Sequence, residues 1–372
     1  MSAPPPPDFS GLDPELATEA AGVGGRGTLL GSSASSGLLP GWAPYGVFAA
    51  ALAFCAAVLA ALGIFTIALM LVFGAVVAVF GIYAWSRAVE GSRRAKDRAI
   101  TMAIVAAFGV AMAPLISLLY EVIKRGVPGL SAEFFTEDAR GKIGGGGAEH
   151  AIVGTLVITG IAVAISVPIG LMAAIYMNEY GTGKLRRALT FFVDVMTGIP
   201  SIVAGLFAYA LFEIFFGPGI RMGVMGSVAL SVLMIPIVIR ASEEVLKIVP
   251  NHLREASYAL GTPKWKTISK IVLPTAFAGL VTAVMIATAR IIGETAPLLV
   301  TTGVVDSLNT DPFGGRMQNL AVYAFNEYRS PGIDKAASYD RAWAAALTLI
   351  AIVMILNVIA RLVYRRYKTE IR

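Results

Sequence analysis

Two charged residues interrupt a stretch that is otherwise apolar and long enough to cross a bilayer. Arg290 and Glu294 are four residues apart, so on a helix both side chains project from one face and can interact. An arginine deep in a bilayer costs about 2.5–3.5 kcal/mol, which disfavours a lipid-facing position. The guanidinium is a forked donor that suits an oxyanion, and Glu294 can hold it in place. The pair predicts either an anion site on a substrate path or a buried ion pair that joins helices.

Two more charged residues lie in or beside apolar spans. Arg240 falls near the end of a span, where its long side chain can reach the interface, so a place in the substrate path is the weaker interpretation. Asp194 either pairs with an arginine of this or a partner subunit, or reaches the inner interface. Helix-weakening residues stand close to these charges and predict either local breaks that expose backbone groups to a pore, or close packing and simple kinks: Gly198, Pro200, Pro236, Gly293 and Pro297.

A short polar helix is predicted between two apolar spans. Asn251 is placed to cap a helix that runs from about His252 to Leu260, and Gly261 supplies the left-handed conformation that ends it. The product is a compact knob outside the membrane, joined directly to a spanning helix. Such an element is suited to carry a mechanical signal, although an ordinary amphipathic loop is the simpler alternative.

A second helix is predicted immediately after the glycine. Thr262 is expected to be its N-cap, with Pro263 at the first helical position. Pro274 is expected to bend the chain into the next apolar span. Between them, apolar residues repeat at helical spacing and lysines take other positions, as in a segment that lies along a cytoplasmic membrane interface: Trp265, Ile268 and Val272, with Lys264, Lys266 and Lys270.

Composition places the chain among membrane proteins. Of its 372 residues, 56% are hydrophobic and 15% are charged, which is more apolar than an ordinary soluble domain. Residues 1–44, rich in proline, glycine, serine and alanine, are expected to form a flexible tail that lacks the features of a secretory signal. Charge-free stretches predict eight spanning helices: two within Tyr45–Ser86, turning near Gly63, then Ala99–Ile123, Ala151–Met177, Leu189–Phe216, Met222–Ile239, Pro274–Val300 and Ala342–Val363.

Basic residues predict the orientation of these helices. With eight spans, four clusters of lysine and arginine fall on one side, at 87–98, 184–187, the knob region and 361–372. Positive charge marks the cytoplasmic side, so both termini are predicted to be cytoplasmic. The other side receives the segments 125–150 and 302–339, which are expected to meet an extracytoplasmic partner.

Several chemistries are disfavoured by what the sequence lacks. Cys55 is the one cysteine, and the two histidines, His150 and His252, belong to no cluster with metal-ligand spacing. The glycine run at 144–147 lacks the lysine and hydroxyl of a nucleotide-binding phosphate loop. The basic residues flank apolar spans rather than forming one patch, so nucleic acid is not an expected partner. The chain is expected to bind no metal or cofactor and to hydrolyse no ATP itself.

The knob resembles a known signature. Glu255-Ala256-Ser257, three residues, Gly261, nine residues and Ile271-Val272-Leu273-Pro274 are similar to the E-A-A, G, I-x-L-P signature of the inner-membrane permeases of ABC importers, with Ser257 in place of the second alanine. The resemblance covers about 94–368. Further segments resemble the phosphate-specific permeases of the PstA family: Ser201–Phe207, Ile235–Arg240, Arg254–Ile268 and Ala289–Leu299.

The resemblance implies an all-α integral membrane fold with a type I ABC importer permease core of six transmembrane helices at 99–372. A basic loop at 87–98 and an extra N-terminal two-helix hairpin at 45–86 precede the core, and the coupling loop is at about 241–274. Glu255, Ala256, Ala259, Gly261 and Pro274 are implied to couple the permease to an ATPase. The implied substrate path contains Arg290, Glu294, Arg240 and Asp194.

The implied function is half of a heterodimeric pore for inorganic phosphate in a bacterial inner membrane. The implied partners are a PstC-like permease, two copies of a PstB-like ATPase that uses ATP and magnesium, and a soluble PstS-like phosphate-binding protein. Alternatives remain open: another oxyanion such as molybdate or sulfate, a secondary transporter that uses Glu294 as a proton carrier, or an added role as a signalling scaffold.

Overall fold

The structure is a computed structural model that describes residues 39–142 and 146–367, with side chains as far as Leu362. The predicted tail therefore lies outside the described residues except for its last six positions, as do residues 144 and 145 of the glycine run at 144–147. The described residues contain helices and no strand, which confirms the all-α prediction. The chain divides into two compact units between Leu118 and Leu119.

The helices are numbered here in chain order. Two π-helical turns adjoin them: Tyr176–Tyr180 follows α5, and Ile268–Val272 lies between α10 and α11. The bounds are α1 Ala43–Ala61, α2 Ile67–Val89, α3 Ser92–Gly129, α4 Ala132–Thr136, α5 Glu149–Ile175, α6 Gly183–Thr197, α7 Ser201–Phe216, α8 Gly223–Ile248, α9 Asn251–Ala259, α10 Lys264–Thr267, α11 Leu273–Ile292, α12 Ala296–Thr301, α13 Leu320–Arg329 and α14 Lys335–Tyr367.

The first unit is built on a hairpin of α1 and α2. Gly63, with φ +70°, lies in the turn that joins the two helices. Gly74 lets them approach closely, because a Cβ there would lie 2.6 Å from a methyl group of Leu52. Large apolar side chains such as Phe54 and Phe80 remain exposed on the outer faces, as expected of lipid-facing surface.

A buried carboxylate closes the end of this hairpin. Glu90 accepts hydrogen bonds from the Ser86 hydroxyl at 2.7 Å and from the Leu39 N–H at 2.8 Å, and its other partner is the Arg98 guanidinium at 2.6 Å. Chiefly because of the hydrogen bond from Arg98, the pKa of Glu90 falls from 4.5 to about 2. The carboxylate thus joins the segment at Leu39 to the first turns of α3, since Arg98 lies in that helix.

The second unit is organised around α5 and α8. Hydroxyl groups of α8 reach the carbonyls of α5: Ser227 Oγ donates to Ile158 O at 3.0 Å, and Ser231 Oγ to Ala162 O at 3.5 Å. Gly170 allows close contact with Val238 on the other helix. Small residues and interhelical hydrogen bonds are the usual means of packing helices where water is absent. The buried core around these helices includes Ile158, Ala162, Leu230, Met234 and Val238, together with Ala287 and Ile291 of α11.

Two predicted spans are broken, and the breaks lie at helix-weakening residues noted in the sequence. The span Leu189–Phe216 consists of α6 and α7, which meet at 106°. Pro200, which cannot continue a helix, is the N-cap of α7 and follows Gly198, the C-cap of α6. The helix of the span Pro274–Val300 likewise ends at Ile292, and α12 begins after three intervening residues. The described residues therefore form seven helices able to cross a membrane, or eight if the bent pair counts as one span.

The expected bend at Pro274 corresponds to a change in helix type. Helical structure continues from Lys264 to Ile292, and the π-helical turn Ile268–Val272 immediately precedes the proline. In that turn the Leu273 N–H donates to the Ile268 carbonyl, one residue farther back than in an α-helix. The wider turn accommodates the proline at the start of α11 without ending the helix.

Candidate functional site

The knob predicted between two spans is present as α9, but its caps differ from the prediction. Pro250 is the N-cap of α9 and Pro263 is the N-cap of α10, each in an extended conformation that a proline adopts without strain. Asn251 is the first helical residue instead, and its Oδ1 accepts from Arg254 Nη1 at 3.2 Å. Gly261 has φ +73°, which confirms the predicted left-handed end of the helix.

Arg254 joins the knob to two spanning helices. Its Nη1 donates to the carbonyl of Val249 at 2.7 Å and its Nη2 to that of Leu246 at 3.2 Å, which satisfies two groups at the end of α8. The same Nη2 lies 2.7 Å from Oε1 of Glu179, in the π-helical turn that ends α5. The side chains of Arg254 and Glu179 are only 13% and 5% exposed. Arg254 therefore connects α9 to the ends of both α5 and α8.

A second link joins α9 to α10. The hydroxyl groups of Ser257 and Thr267 are 2.8 Å apart, and both residues are buried. Ser257 occupies the position of the second alanine in the permease signature, so this hydrogen bond depends on the one departure that the sequence shows there. The link thus joins α9 to the last residue of α10.

The opposite face of the knob is open to solvent. Glu255, Ala256, Ala259 and Gly261 are all exposed, and Leu260 is 85% exposed. Trp265 and Tyr258 beside them are also exposed. Glu255 makes no ion pair within the described residues. An apolar patch of this kind with a free carboxylate at its edge is typical of a docking surface.

Arg240 and Asp194 are brought together by the structure. The Arg240 guanidinium pairs with Asp194 on α6, and its Nη1 also lies 3.0 Å from Oε2 of Glu243. Glu243 is buried and accepts a second cation, Lys247, at 3.2 Å. Of the two sequence interpretations of Asp194, pairing with an arginine of this chain is the one observed. Arg240 already has two carboxylate partners, so it is not a free cation for an anion.

Arg290 and Glu294 do not form the pair that their spacing predicts. Helix α11 ends at Ile292 with Gly293 as its C-cap, so the two side chains do not share a helix face. Neither makes an ion pair or a side-chain hydrogen bond with another described residue. Arg290 is exposed near the end of α11 farthest from the knob, and Glu294 is half-buried in the break before α12. An exposed arginine at this depth requires an aqueous path or another protein surface, since lipid would be costly.

The comparison with known families decides the class of this protein. The family model described as binding-protein-dependent transport system inner membrane component matches residues 166–371, more than half of the chain. The chain belongs to this permease family. The match contains α8, the knob, α11 and α12, whereas the hairpin of α1 and α2 lies outside it.

Several relatives of this permease are named for phosphate transport. The chain is 44% identical over 275 residues to phosphate transport system permease protein PstA 1 of Mycobacterium tuberculosis (strain CDC 1551 / Oshkosh), covering 73% of this chain and 89% of that protein. It is 38% identical to phosphate transport system permease protein PstA of Yersinia pestis, covering 74% and 92%. A bacterial alginate ABC transporter, solved with an alginate-bound periplasmic protein, has the same fold, with TM-score 0.54, 13% identity and coverage of 75% and 99%.

Sequence reasoning missed several residues that organise the permease. Glu179 and Glu243 are buried acceptors that hold Arg254 and Arg240, and Thr267 is the partner of Ser257. A carboxylate at the end of an apolar span was the available signal for Glu179, because such a group needs a cation on the same side of the membrane. Leu260, an exposed apolar residue next to Gly261, was not among the coupling residues that the resemblance implied.

Proposed function

We propose that this permease is half of a heterodimeric pore that carries inorganic phosphate across a bacterial inner membrane, driven by ATP hydrolysis on a partner. The structural observation that carries the proposal is the knob α9, which is fixed by Arg254 to two spanning helices and exposes an apolar face with Glu255. The sequence identity of this chain to proteins named as phosphate permeases supports phosphate as the substrate. The permease itself supplies no nucleotide cradle and is proposed to be non-catalytic, with ATP and magnesium used by the ATPase.

The proposed coupling passes from the knob to the pore. When the ATPase subunits close, the exposed face around Glu255, Ala256, Ala259 and Gly261 moves with them. Because Arg254 ties α9 to the ends of α5 and α8, and the Ser257–Thr267 hydrogen bond ties it to α10, these helices move with the knob. Helix α10 continues past Pro274 into α11, which carries Arg290. Movement of the knob therefore changes the position of the proposed anion contact.

Arg290 is the proposed anion contact of the path, with Glu294 beside it. Its guanidinium has no carboxylate partner within the described residues, so its forked donors remain available to an oxyanion. Arg240 and Asp194 are proposed to stand nearer the knob on the same path. Because they neutralise one another, they are proposed to hold α6 against α8 until movement of the knob separates them.

The proposed assembly follows from the open surfaces. A PstC-like permease covers the face of Arg290, two PstB-like ATPase subunits receive the knobs, and a PstS-like phosphate-binding protein docks at the other side of the membrane. The knob and both termini are proposed to be cytoplasmic, since the basic clusters share that side. No feature of this assembly calls for nucleic acid.

Uptake by purified complex in liposomes tests the proposal. We expect phosphate to accumulate only with ATP on the ATPase side, with no effect of a protonophore. Uptake should also be lost when the nucleotide-binding lysine of the ATPase is substituted, because that change inactivates the ATPase. Uptake without ATP that collapses with the proton gradient would contradict it and favour the secondary transporter. Efficient competition by molybdate or sulfate would assign the pore to another oxyanion.

A further inference from the structure

Two arginines pass over one glycine beyond the end of α12. Gly303 has φ +74°, and a Cβ on it would lie 3.0 Å from Cδ and 3.3 Å from Nη1 of Arg221. The same Cβ would lie 3.3 Å from Cδ of Arg316. Neither guanidinium has an ion-pair or hydrogen-bond partner among the residues that the structure describes. The two side chains thus converge without a carboxylate to neutralise them.

Backbone hydrogen bonds fix both arginines in this place. The Met222 N–H donates to the Thr301 carbonyl at 3.3 Å, and the Met317 N–H donates to the Thr302 carbonyl at 3.4 Å. Carbonyls at a helix end lack partners within the helix, and these two donors satisfy them. Each arginine immediately precedes one of the methionines, so the end of α12 positions Arg221 and Arg316 from two different segments.

The loop that carries Arg316 is held by side-chain hydrogen bonds. The Asn309 amide donates to the carbonyls of Gly314 and Arg316, both at 2.9 Å. Gln318 Oε1 accepts from a backbone N–H of the same loop at 3.3 Å. Asp311, a nearby carboxylate, accepts from the N–H of a residue in its own turn at 2.9 Å and forms no ion pair with Arg316. The loop therefore presents Arg316 as an uncompensated charge.

We propose that Arg221 and Arg316 form an oxyanion site at the entrance of the path, which receives inorganic phosphate before it reaches Arg290. Two forked donors match a tetrahedral oxyanion, and the anion removes the repulsion between the two cations. The pair lies at the end of α8 opposite the knob, and only α12, about 9 Å long, separates it from the break beside Arg290. This inference rests on the proposed function and adds an entry site to it.

A small anion fits this pair better than a larger acidic group. Arg316 is exposed, Arg221 is half-buried and Gly303 is buried, so the two side chains approach each other over a buried glycine and Arg316 stays open to solvent. A free phosphate ion can reach both arginines. A carboxylate on a protein surface reaches Arg316 more readily than Arg221.

Arginine footprinting of the full transport complex in liposomes tests the site. Phenylglyoxal modification of Arg316 is followed by mass spectrometry with inorganic phosphate or with chloride at equal ionic strength. We expect millimolar phosphate to slow the modification of Arg316 about threefold or more, because a bound oxyanion occupies the guanidinium. Arg329, an exposed arginine of α13, is the matched control and should react equally in both salts. In the Arg221→Gln variant, phosphate should no longer protect Arg316.

Equal modification of Arg316 in phosphate and chloride would overturn the proposal. Protection that needs phosphatidylglycerol but no free phosphate would overturn it too, by assigning the pair to a lipid headgroup. Protection that needs only the phosphate-free binding protein would assign the pair to protein docking, also against the proposal. ATP-driven uptake by the same liposomes tests the transport function separately, so the entry site and the proposed function can fail independently.

Discussion

Arg254 on the knob and Glu179 at the end of α5 form a buried ion pair with Nη2 and Oε1 2.7 Å apart, although 75 residues separate them in the chain. The same guanidinium also closes the end of α8. One side chain thus connects the surface proposed to meet the ATPase with the two helices at the centre of the permease core. The central claim is that the knob, held by this connection, carries the movement of the ATPase to the pore.

Removing one partner of this pair should uncouple transport and weaken the fold. Loss of one member of a buried ion pair costs about 3–5 kcal/mol, because the other charge stays buried without compensation. We expect Glu179→Gln to lower the thermal unfolding temperature of the complex and the phosphate moved per ATP hydrolysed. Glu133→Gln, which removes one of the two exposed carboxylate partners of Lys142, is the matched control and should change neither. Unchanged coupling in Glu179→Gln would count against this role of the pair.

The Ser257–Thr267 hydrogen bond should contribute modestly to stability. A hydrogen bond of this kind contributes about 1 kcal/mol, so Ser257→Ala should lower the free energy of unfolding slightly. Uptake should continue, because alanine is the residue of the permease signature at this position. A double-mutant cycle of Ser257→Ala and Thr267→Val, measured by denaturant unfolding of the complex, should give a coupling energy of about 1 kcal/mol. Additive effects of the two changes would show that the hydroxyls do not interact.

Gly261→Glu should abolish uptake while the protein remains in the membrane. A Cβ at Gly261 meets no atom within 4 Å, so the variant fails through its charge on the docking face and through the left-handed backbone, not through a clash. Gly261→Asn is the control, because asparagine tolerates a positive φ and adds no charge. Co-purification of the ATPase should be lost in the glutamate variant and kept in the asparagine variant. Normal co-purification with Gly261→Glu would remove α9 from the contact.

Acid should loosen the end of the N-terminal hairpin. The pKa of Glu90 is about 2 in the folded protein, below the ordinary value of 4.5, so its ion pair contributes stability that is complete above pH 4.5 and is lost as the pH falls towards 2. Hydrogen exchange of the Leu39 amide, which donates to Glu90, should therefore quicken across this range. In Glu90→Gln this amide should exchange fast at every pH, once the intrinsic pH dependence of amide exchange is subtracted. A pH profile equal to that of the variant would exclude the carboxylate as the cause.

Sequence reasoning identified local features better than pairings. The apolar spans and the left-handed Gly261 follow from composition and from backbone sterics, which act within a few residues. The spacing of Arg290 and Glu294 indicated a pair only on the assumption of a continuous helix, and Gly293 ends that helix between them. The predicted N-caps of α9 and α10 were wrong because a proline immediately before each helix already has the extended backbone that an N-cap needs.

Contacts between distant segments were not predictable from spacing. Nothing in the chain indicates that Glu179 meets Arg254, or that Arg221 and Arg316 meet at Gly303, because these contacts depend on how the helices pack. Asp194 and Arg240 were both noted as charges in need of a partner, but the sequence did not show that each is the partner of the other.

Site-specific cross-linking during transport tests the central claim most directly. Cys55 is the one native cysteine, so a Cys55→Ser background allows a single cysteine at Leu260 on the knob or, as a control, at Phe313, an exposed residue on the opposite side. We predict that position 260 cross-links to the ATPase during turnover, that uptake then stops, and that reduction of the cross-link restores it, with no such effect from position 313. A cysteine at 260 that stays fully reactive to solvent reagents throughout turnover and cross-links to no subunit would contradict the account.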